Sequence, residues 1–200
     1  MDPARPHLHG LVEKQLGQKL VLFHRLDVDT TGLVLLGKDP SINGAMTDLF
    51  HDRKIEKKYL CVVDGRWLPE WKQSVSYIKQ GKAKGRWISA DKGKFKERAE
   101  THFKLLDSCG DKSLVEATLQ TGRTHQIRLH CLDRAHPILG DRLYLKPHPQ
   151  GVPLALHARS LKFLHPKTKK ELYMEAPLPD YWEEHWLPGL NFKKDLNSKG

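Results

Sequence analysis

Three cysteines in 200 residues, Cys61, Cys109 and Cys131, are too few and too scattered for a disulfide framework. Their scarcity predicts a reducing, cytoplasmic setting. Long apolar runs are missing as well: Leu33-Val34-Leu35-Leu36 is strand-sized, far short of the roughly 18–20 residues of a membrane-spanning helix. The opening MDPARPHLHG holds no apolar stretch of the secretory kind. No repeat or low-complexity tract occurs, and 15 Gly with 12 Pro is ordinary globular usage. The P-loop, GxGxxG and Gly-x-Ser-x-Gly signatures are absent, which leaves nucleotide-hydrolysing, dinucleotide-binding and serine-hydrolase readings without an anchor. Acidic residues are also in short supply, 24 Asp+Glu against 34 Lys+Arg, for a formal charge of +10 with 12 His and a pI near 9.5. That excess predicts a polyanionic partner such as nucleic acid or an anionic membrane surface.

What is present reads as one α+β domain. Lys19–Phe23 and Leu33–Gly37 read as strands, and Pro40–Arg53 as a helix with Ile42, Ala45, Met46, Leu49 and Phe50 at helical spacing and Ser41 as its cap. A strand follows at Lys58–Val63. From Lys72 to Arg98 nine Lys/Arg stand against two acids, and the segment reads as a basic surface excursion without a regular pattern. Alternation returns at Ala99–Leu106 and Ser113–Gln120 about a Gly110-Asp111 turn, an antiparallel pair. Thr124–Arg134 reads as a helix, and Leu156–Phe163 with Glu171–Glu175 as strands joined at His165–Thr168. Hairpins with helices set between them predict a mixed, largely antiparallel sheet flanked by helices. We expect residues 1–20 to be a short N-terminal segment, 21–187 the folded domain and 188–200 a polar tail.

Two polar constellations interrupt the apolar pattern. The first, HRLDVDTTG (His24–Gly32), lies between two strands, where side chains are displayed on a rigid scaffold. From these residues alone, Asp27 and Asp29 are either turn-formers or displayed catalytic groups. The second, TGRTHQIRLH (Thr121–His130), places a glycine turn and Arg123 before a helix start, an arrangement that holds a phosphate or simply caps a helix. His125, His130, Cys131 and His136 fit no zinc spacing, so no metal is expected.

Together the two segments, with KKYLCVVDG (Lys57–Gly65) and LHARSLKFLHPKTKKELYMEAPLP (Leu156–Pro179), resemble the ordered motifs of the RluA-type pseudouridine synthases: HRLDxxTSG, KxYxAxVxG, TGRTHQIRVHxxxxGHPIxGD and a closing hairpin. The resemblance spans Val21 to Asp180. It implies isomerisation of a uridine in structured ribosomal or transfer RNA to pseudouridine, by a monomer without cofactor or metal. Asp27 then matches the essential aspartate, Arg128 the arginine that forms a salt bridge to it, and Tyr59 the tyrosine that packs on the target uracil. Arg25 matches the residue that enters the base stack when the uridine is flipped out. His24, Thr31, Arg123, Thr124, His125, Gln126, Ile127 and Leu129 match motif positions around the substrate, with Ile127 and Leu129 as pocket wall or core. The family's opening strand, with its Lys-Pro-Ser-Gly-like end, has no counterpart in residues 1–20, which leaves a catalytically silent RNA-binding module as the rival reading.

Overall fold

The computed structural model describes residues 7–82, 86–90, 97–145 and 151–191. Its elements run α1 (Leu8–Leu16), β1 (Val21–Leu22), β2 (Thr31–Gly32), β3 (Leu36–Gly37), a 3-10 turn (Pro40–Ile42), α2 (Asn43–His51), β4 (Glu56–Asp64), β5 (Gln73–Gln80) and β6 (Trp87–Ala90). They continue with β7 (Glu97–Cys109), β8 (Lys112–Leu119), α3 (Gln126–Asp133), β9 (Leu156–Leu164), β10 (Glu171–Glu175) and α4 (Tyr181–His185). The main sheet has the order β10-β9-β4-β8-β7-β5-β6, antiparallel at every step, and the short β2 adds to β9 in parallel. This is the α+β, mixed and largely antiparallel sheet expected from the hairpin pattern.

β4 supplies the centre because Tyr59, Leu60, Cys61, Val62 and Val63 are all buried, a run without alternation that only a strand covered on both faces tolerates. One core cluster gathers β4, β8 and β9 with Trp67, Trp182 and Trp186. A second holds Met46, Ile55, Leu161 and Phe163 with Phe23 and Phe50 packed against it, and a third packs Leu129 with Ile78, Ala99 and Tyr144. The register puts Ala158 of β9 opposite Tyr59 of β4 on one side and opposite Gly32 of β2 on the other. A bulge at Lys58/Tyr59 sits beside this crossing.

Several expectations are corrected. The basic stretch 72–98 is not an excursion: its described residues form β5, β6 and the start of β7, because Ser76 and Ile78 turn inward beneath α3 while Val75 and Lys79 face outward. Lys84, Lys92, Lys94 and Lys96 lie outside the described residues. The strands of Lys19–Phe23 and Leu33–Gly37 shrink to the two-residue ladder of β1 and β3, which pair only with each other. Ser41 is not the cap of the Pro40–Arg53 helix; Asp39 accepts the Ser41 N–H at 2.9 Å and caps the 3-10 turn that precedes α2. Within residues 1–20 the nonapeptide Leu8–Leu16 is helical, closed by Gly17 in the left-handed region. Of the 188–200 tail, 192–200 lie outside the described residues.

Candidate active site

The loop from His24 to Thr30 is anchored at its end. Gly32, at φ 109°, lies so close to β9 that a Cβ would stand 2.3 Å from the Ala158 carbonyl, so no side chain fits there. Thr31 Oγ1 meets His157 Nδ1 at 2.9 Å, and the Leu33 N–H donates to Ala158 C=O at 3.0 Å. Within the loop the Thr30 N–H donates to the Asp27 C=O at 3.0 Å, a tight turn that presents the Asp27 carboxylate inward. At the loop's start, His24 Nε2 accepts the Leu35 N–H at 2.8 Å and the ring stacks on Phe50. Burial, then the nearby Lys57 ammonium, pushes the His24 pKa down to about 4, so the ring is neutral.

The opposite wall is the start of α3. Gln126 is pinned: Oε1 accepts the Thr121 hydroxyl at 2.7 Å and the Arg123 N–H at 3.0 Å, while Nε2 donates to the Glu100 C=O and Thr101 Oγ1 at 2.9 Å. His125 precedes the helix in the left-handed conformation at φ 58°, so α3 begins at Gln126 and Thr124 stands exposed without capping it. A non-glycine residue there is strained, and such strain concentrates at working sites. His125 Nδ1 lies 2.8 Å from the Tyr144 hydroxyl, and Nε2 lies 3.9 Å from Asp27 Oδ2. Burial lowers the His125 pKa; Asp27 opposes the fall and Arg128 assists it.

Arg128 is almost wholly buried, and its principal partner is Asp141, not Asp27. Nε and Nη2 each donate to an Asp141 oxygen at 2.7 Å, and Nη1 stands 3.8 Å from Asp27 Oδ2. Burial works against the Arg128 charge, but the hydrogen bonds and charge of Asp141, with Asp27 adding, raise its pKa. A fixed guanidinium is thus held beside the Asp27 carboxylate by a buried fork-to-fork pair.

Between these walls lies a cavity of about 330 Å³, at the small end of ligand-binding pockets. His24, Arg25, Asp27, Tyr59, Arg123, His125, Gln126, Ile127 and Arg128 line it; Thr31, Thr124 and Leu129 do not. Leu129 points the other way, into the core with Ile78 and Tyr144, because residues 127 and 129 lie on different sides of α3. Arg123 is drawn toward β7, with Nε donating to the Arg98 C=O and Nη1 paired to Glu97 at 3.0 Å. Tyr59 is buried under the cavity; burial, and then Asp27, push its phenol well above the ordinary value. Thr30 and Gly122 of the two constellations complete the lining with Phe23, Leu26, Phe50, Lys57, Leu119 and Leu156, whose place there was not singled out from the sequence. Thr30 Oγ1 is buried without a hydrogen-bond partner. Lys57 had a signal, as the first residue of the KKYLCVVDG motif, and Asp141 closes the HPILGD segment. His130 and His136 have other partners, Ser76 with Thr101 and the Asp64 C=O respectively.

The sequence profile of the family described as RNA pseudouridylate synthase matches residues 4–133, a span that carries Asp27, Tyr59, His125 and Arg128. The chain belongs to this family. Among curated relatives, the ribosomal large subunit pseudouridine synthase C of Buchnera aphidicola subsp. Schizaphis graminum is 37% identical over 183 residues, covering 86% of this chain and 57% of the relative. The ribosomal large subunit pseudouridine synthase D of Zymomonas mobilis subsp. mobilis is 30% identical over 167 residues, covering 79% of this chain and 52% of that protein. The chain therefore spans only about half to three fifths of these relatives' length. Among solved structures, human RNA pseudouridylate synthase domain containing 4 superposes with a TM-score of 0.69 at 25% identity, over 88% of this chain and 78% of the human one. Asp141 and Tyr144, which hold Arg128 and His125, lie beyond the residues matched by the pseudouridylate synthase profile.

Proposed function

We propose that the chain is an RNA pseudouridine synthase that isomerises a uridine of structured RNA through Asp27. The observation that carries this reading is a lone carboxylate: among the described residues lining the cavity Asp27 is the only acid, set between the Arg128 guanidinium and the His125 imidazole. In the reaction the N1–C1′ bond breaks, the uracil turns, C5 joins C1′, the C5 proton departs and N1 takes one up; nothing is oxidised or reduced. A carboxylate serves this chemistry by adding at C1′ or at C6, or by taking a proton from the sugar, and then leaving unchanged.

The rest of the lining suits a flipped nucleotide. Four basic side chains, Arg25, Lys57, Arg123 and Arg128, line the cavity, and the less buried Arg25 and Arg123 favour the phosphates on either side of the target. The Tyr59 ring offers a stacking face for uracil, worth about 1–3 kcal/mol per base. Arg25, exposed at the rim, is placed to occupy the gap the uridine leaves, which offsets a flipping cost of a few kcal/mol. Relatives named for the ribosomal large subunit make its RNA the first substrate to try. We read the active species as a monomer working without metal or cofactor.

The test is incubation with unmodified large-subunit ribosomal RNA and transfer RNA carrying uridine tritiated at C5. Release of tritium by the protein and none by Asp27→Asn, with RNA binding within a few-fold, is expected. Tritium release by Asp27→Asn would remove the carboxylate from the chemistry, and RNA binding without release by the wild-type protein would make this a silent binding module.

A further inference from the structure

The isomerisation leaves a proton on C5 once the uracil has rejoined the sugar through that carbon, and a base must remove it. Four titratable groups of the cavity wall, besides Asp27, are candidates: Tyr59, His24, Lys57 and His125. Tyr59 is a poor one, because burial and the neighbouring Asp27 carboxylate hold its phenol protonated. In His24 the lone pair of Nε2 is already engaged by the Leu35 N–H at 2.8 Å. The Lys57 side chain, its pKa lowered by burial and then by Arg53, lies over the Phe50 ring with Nζ 6.0 Å from the centroid, a seat that orients no lone pair toward the reacting carbon.

His125 differs because its tautomer is fixed from outside the cavity. The Tyr144 hydroxyl accepts the Trp87 N–H at 3.0 Å and lies 3.2 Å from the Trp87 C=O, and its one hydrogen is assigned to that carbonyl of β6. What His125 Nδ1 meets at 2.8 Å is the remaining lone pair of that oxygen, which only an N–H can fill. With Nδ1 protonated, the neutral ring carries its lone pair on Nε2, the atom facing Asp27 at 3.9 Å. The ring is further locked edge-on to Tyr144 at 5.7 Å and 82°, and its backbone is held at φ 58°.

We propose that His125 Nε2 is the base that takes the C5 proton, and that Tyr144 is the positioning residue that keeps Nε2 bare. In this step the C5–H bond breaks, its electron pair restores the C5=C6 double bond, the displaced C6=N1 pair settles on N1, which takes a proton from water, and an Nε2–H bond forms. The resulting imidazolium lies beside the Asp27 carboxylate, free again after the glycosidic bond has re-formed, and returns the proton to water. Burial keeps the ring neutral beforehand; Asp27, Asp141 and Asp29 favour its charged form and Arg128 opposes it. The inference rests on the pseudouridine synthase reading.

The experiment compares large-subunit ribosomal RNA transcribed with 5-deuterated and with ordinary uridine, using wild-type protein, His125→Asn and Tyr144→Phe. His125→Asn is expected to lose about 100-fold in kcat with KM within about threefold, the range of a lost acid–base group. It should also show a C5 deuterium isotope effect that the wild-type protein lacks, because proton removal becomes the slow step. Tyr144→Phe should show the same isotope effect with a loss of about tenfold, and it carries the test if His125→Asn does not fold. A His125→Asn enzyme within twofold of wild type, or one slowed with no isotope effect, overturns the inference and leaves the synthase reading standing. Wild-type protein that forms no pseudouridine overturns both.

Discussion

Arg128 reaches the Asp27 carboxylate only as the far end of a pair whose short contacts are with Asp141: two hydrogen bonds of 2.7 Å on one side, a 3.8 Å approach on the other. Asp141 Oδ1 also accepts the Leu143 and Tyr144 N–H groups, so one buried carboxylate organises both the arginine and the turn that carries Tyr144.

Breaking that pair from one side strands a buried charge. Arg128→Met is expected to lose roughly 3–5 kcal/mol of stability along with activity, since Asp141 is 1% exposed and cannot recover its hydration. Arg128→Met combined with Asp141→Asn should regain part of the stability and none of the turnover. Urea denaturation of the four proteins of this cycle measures the coupling, and additive losses would dissolve it.

Tyr59 separates stacking from proton transfer. Tyr59→Phe keeps the face beneath the cavity and is expected to retain kcat and KM within about threefold, whereas Tyr59→Leu loses a stacking contribution of about 1–3 kcal/mol and raises KM accordingly. Steady-state kinetics on the same RNA checks both. A Tyr59→Phe enzyme with kcat collapsed would transfer the role of base from His125 to the phenol.

Gly32 holds the Asp27 loop against β9, and any side chain collides with the Ala158 carbonyl. Gly32→Ala is expected to lower stability by about 2–3 kcal/mol or more, from left-handed strain added to the clash. A lowered melting temperature together with lost tritium release is the expected pair of results, and an unchanged melting temperature would contradict the close approach.

Stability should fall in mild acid. His130 is fully buried between Ser76 and Thr101, and burial, then Arg134, lowers its pKa to about 4; His24 behaves alike. The unfolded chain binds protons below about pH 6.5 while the folded chain resists until about pH 4, so stability is full above pH 6.5 and is lost as pH drops. Between pH 7 and pH 5 the loss is about 2 kcal/mol for His130 alone. Urea midpoints at the two pH values report it, and an equal midpoint would mean that these rings are not held neutral.

The legible parts of the fold were those with one clear pattern. Alternation in Ala99–Leu106 and Ser113–Gln120, with Gly110 between, marks the β7–β8 hairpin from composition alone. The β5–β6 hairpin was hidden because its buried face mixes Ser76 with Ile78 and its outer face mixes Lys79 with Val75 and Ile88, so neither face carries a uniform pattern. α1 was hidden for a related reason: Leu8, Leu11 and Leu16 stay exposed, and no apolar stripe faces the core. At the site, motif order drew attention to Asp27, Tyr59 and Arg128, which share the cavity. Asp141 closes a motif but its role was not legible there, and Tyr144 lies outside every motif; both matter through groups 13 and 19 residues removed along the chain. Leu129, read as pocket wall or core, is a motif residue whose side chain serves the core.

Ala158 is hydrogen-bonded territory shared by both halves of the site, with Tyr59 on one flank and Gly32 on the other. The stacking ring and the anchor of the carboxylate loop are therefore separated by two strand spacings, about 9–10 Å, a gauge set by main-chain ladders. Side chains around the cavity can be exchanged without altering that gauge. Substrate choice and reaction geometry are thus written in different parts of the molecule, one in replaceable side chains and the other in the backbone of β9.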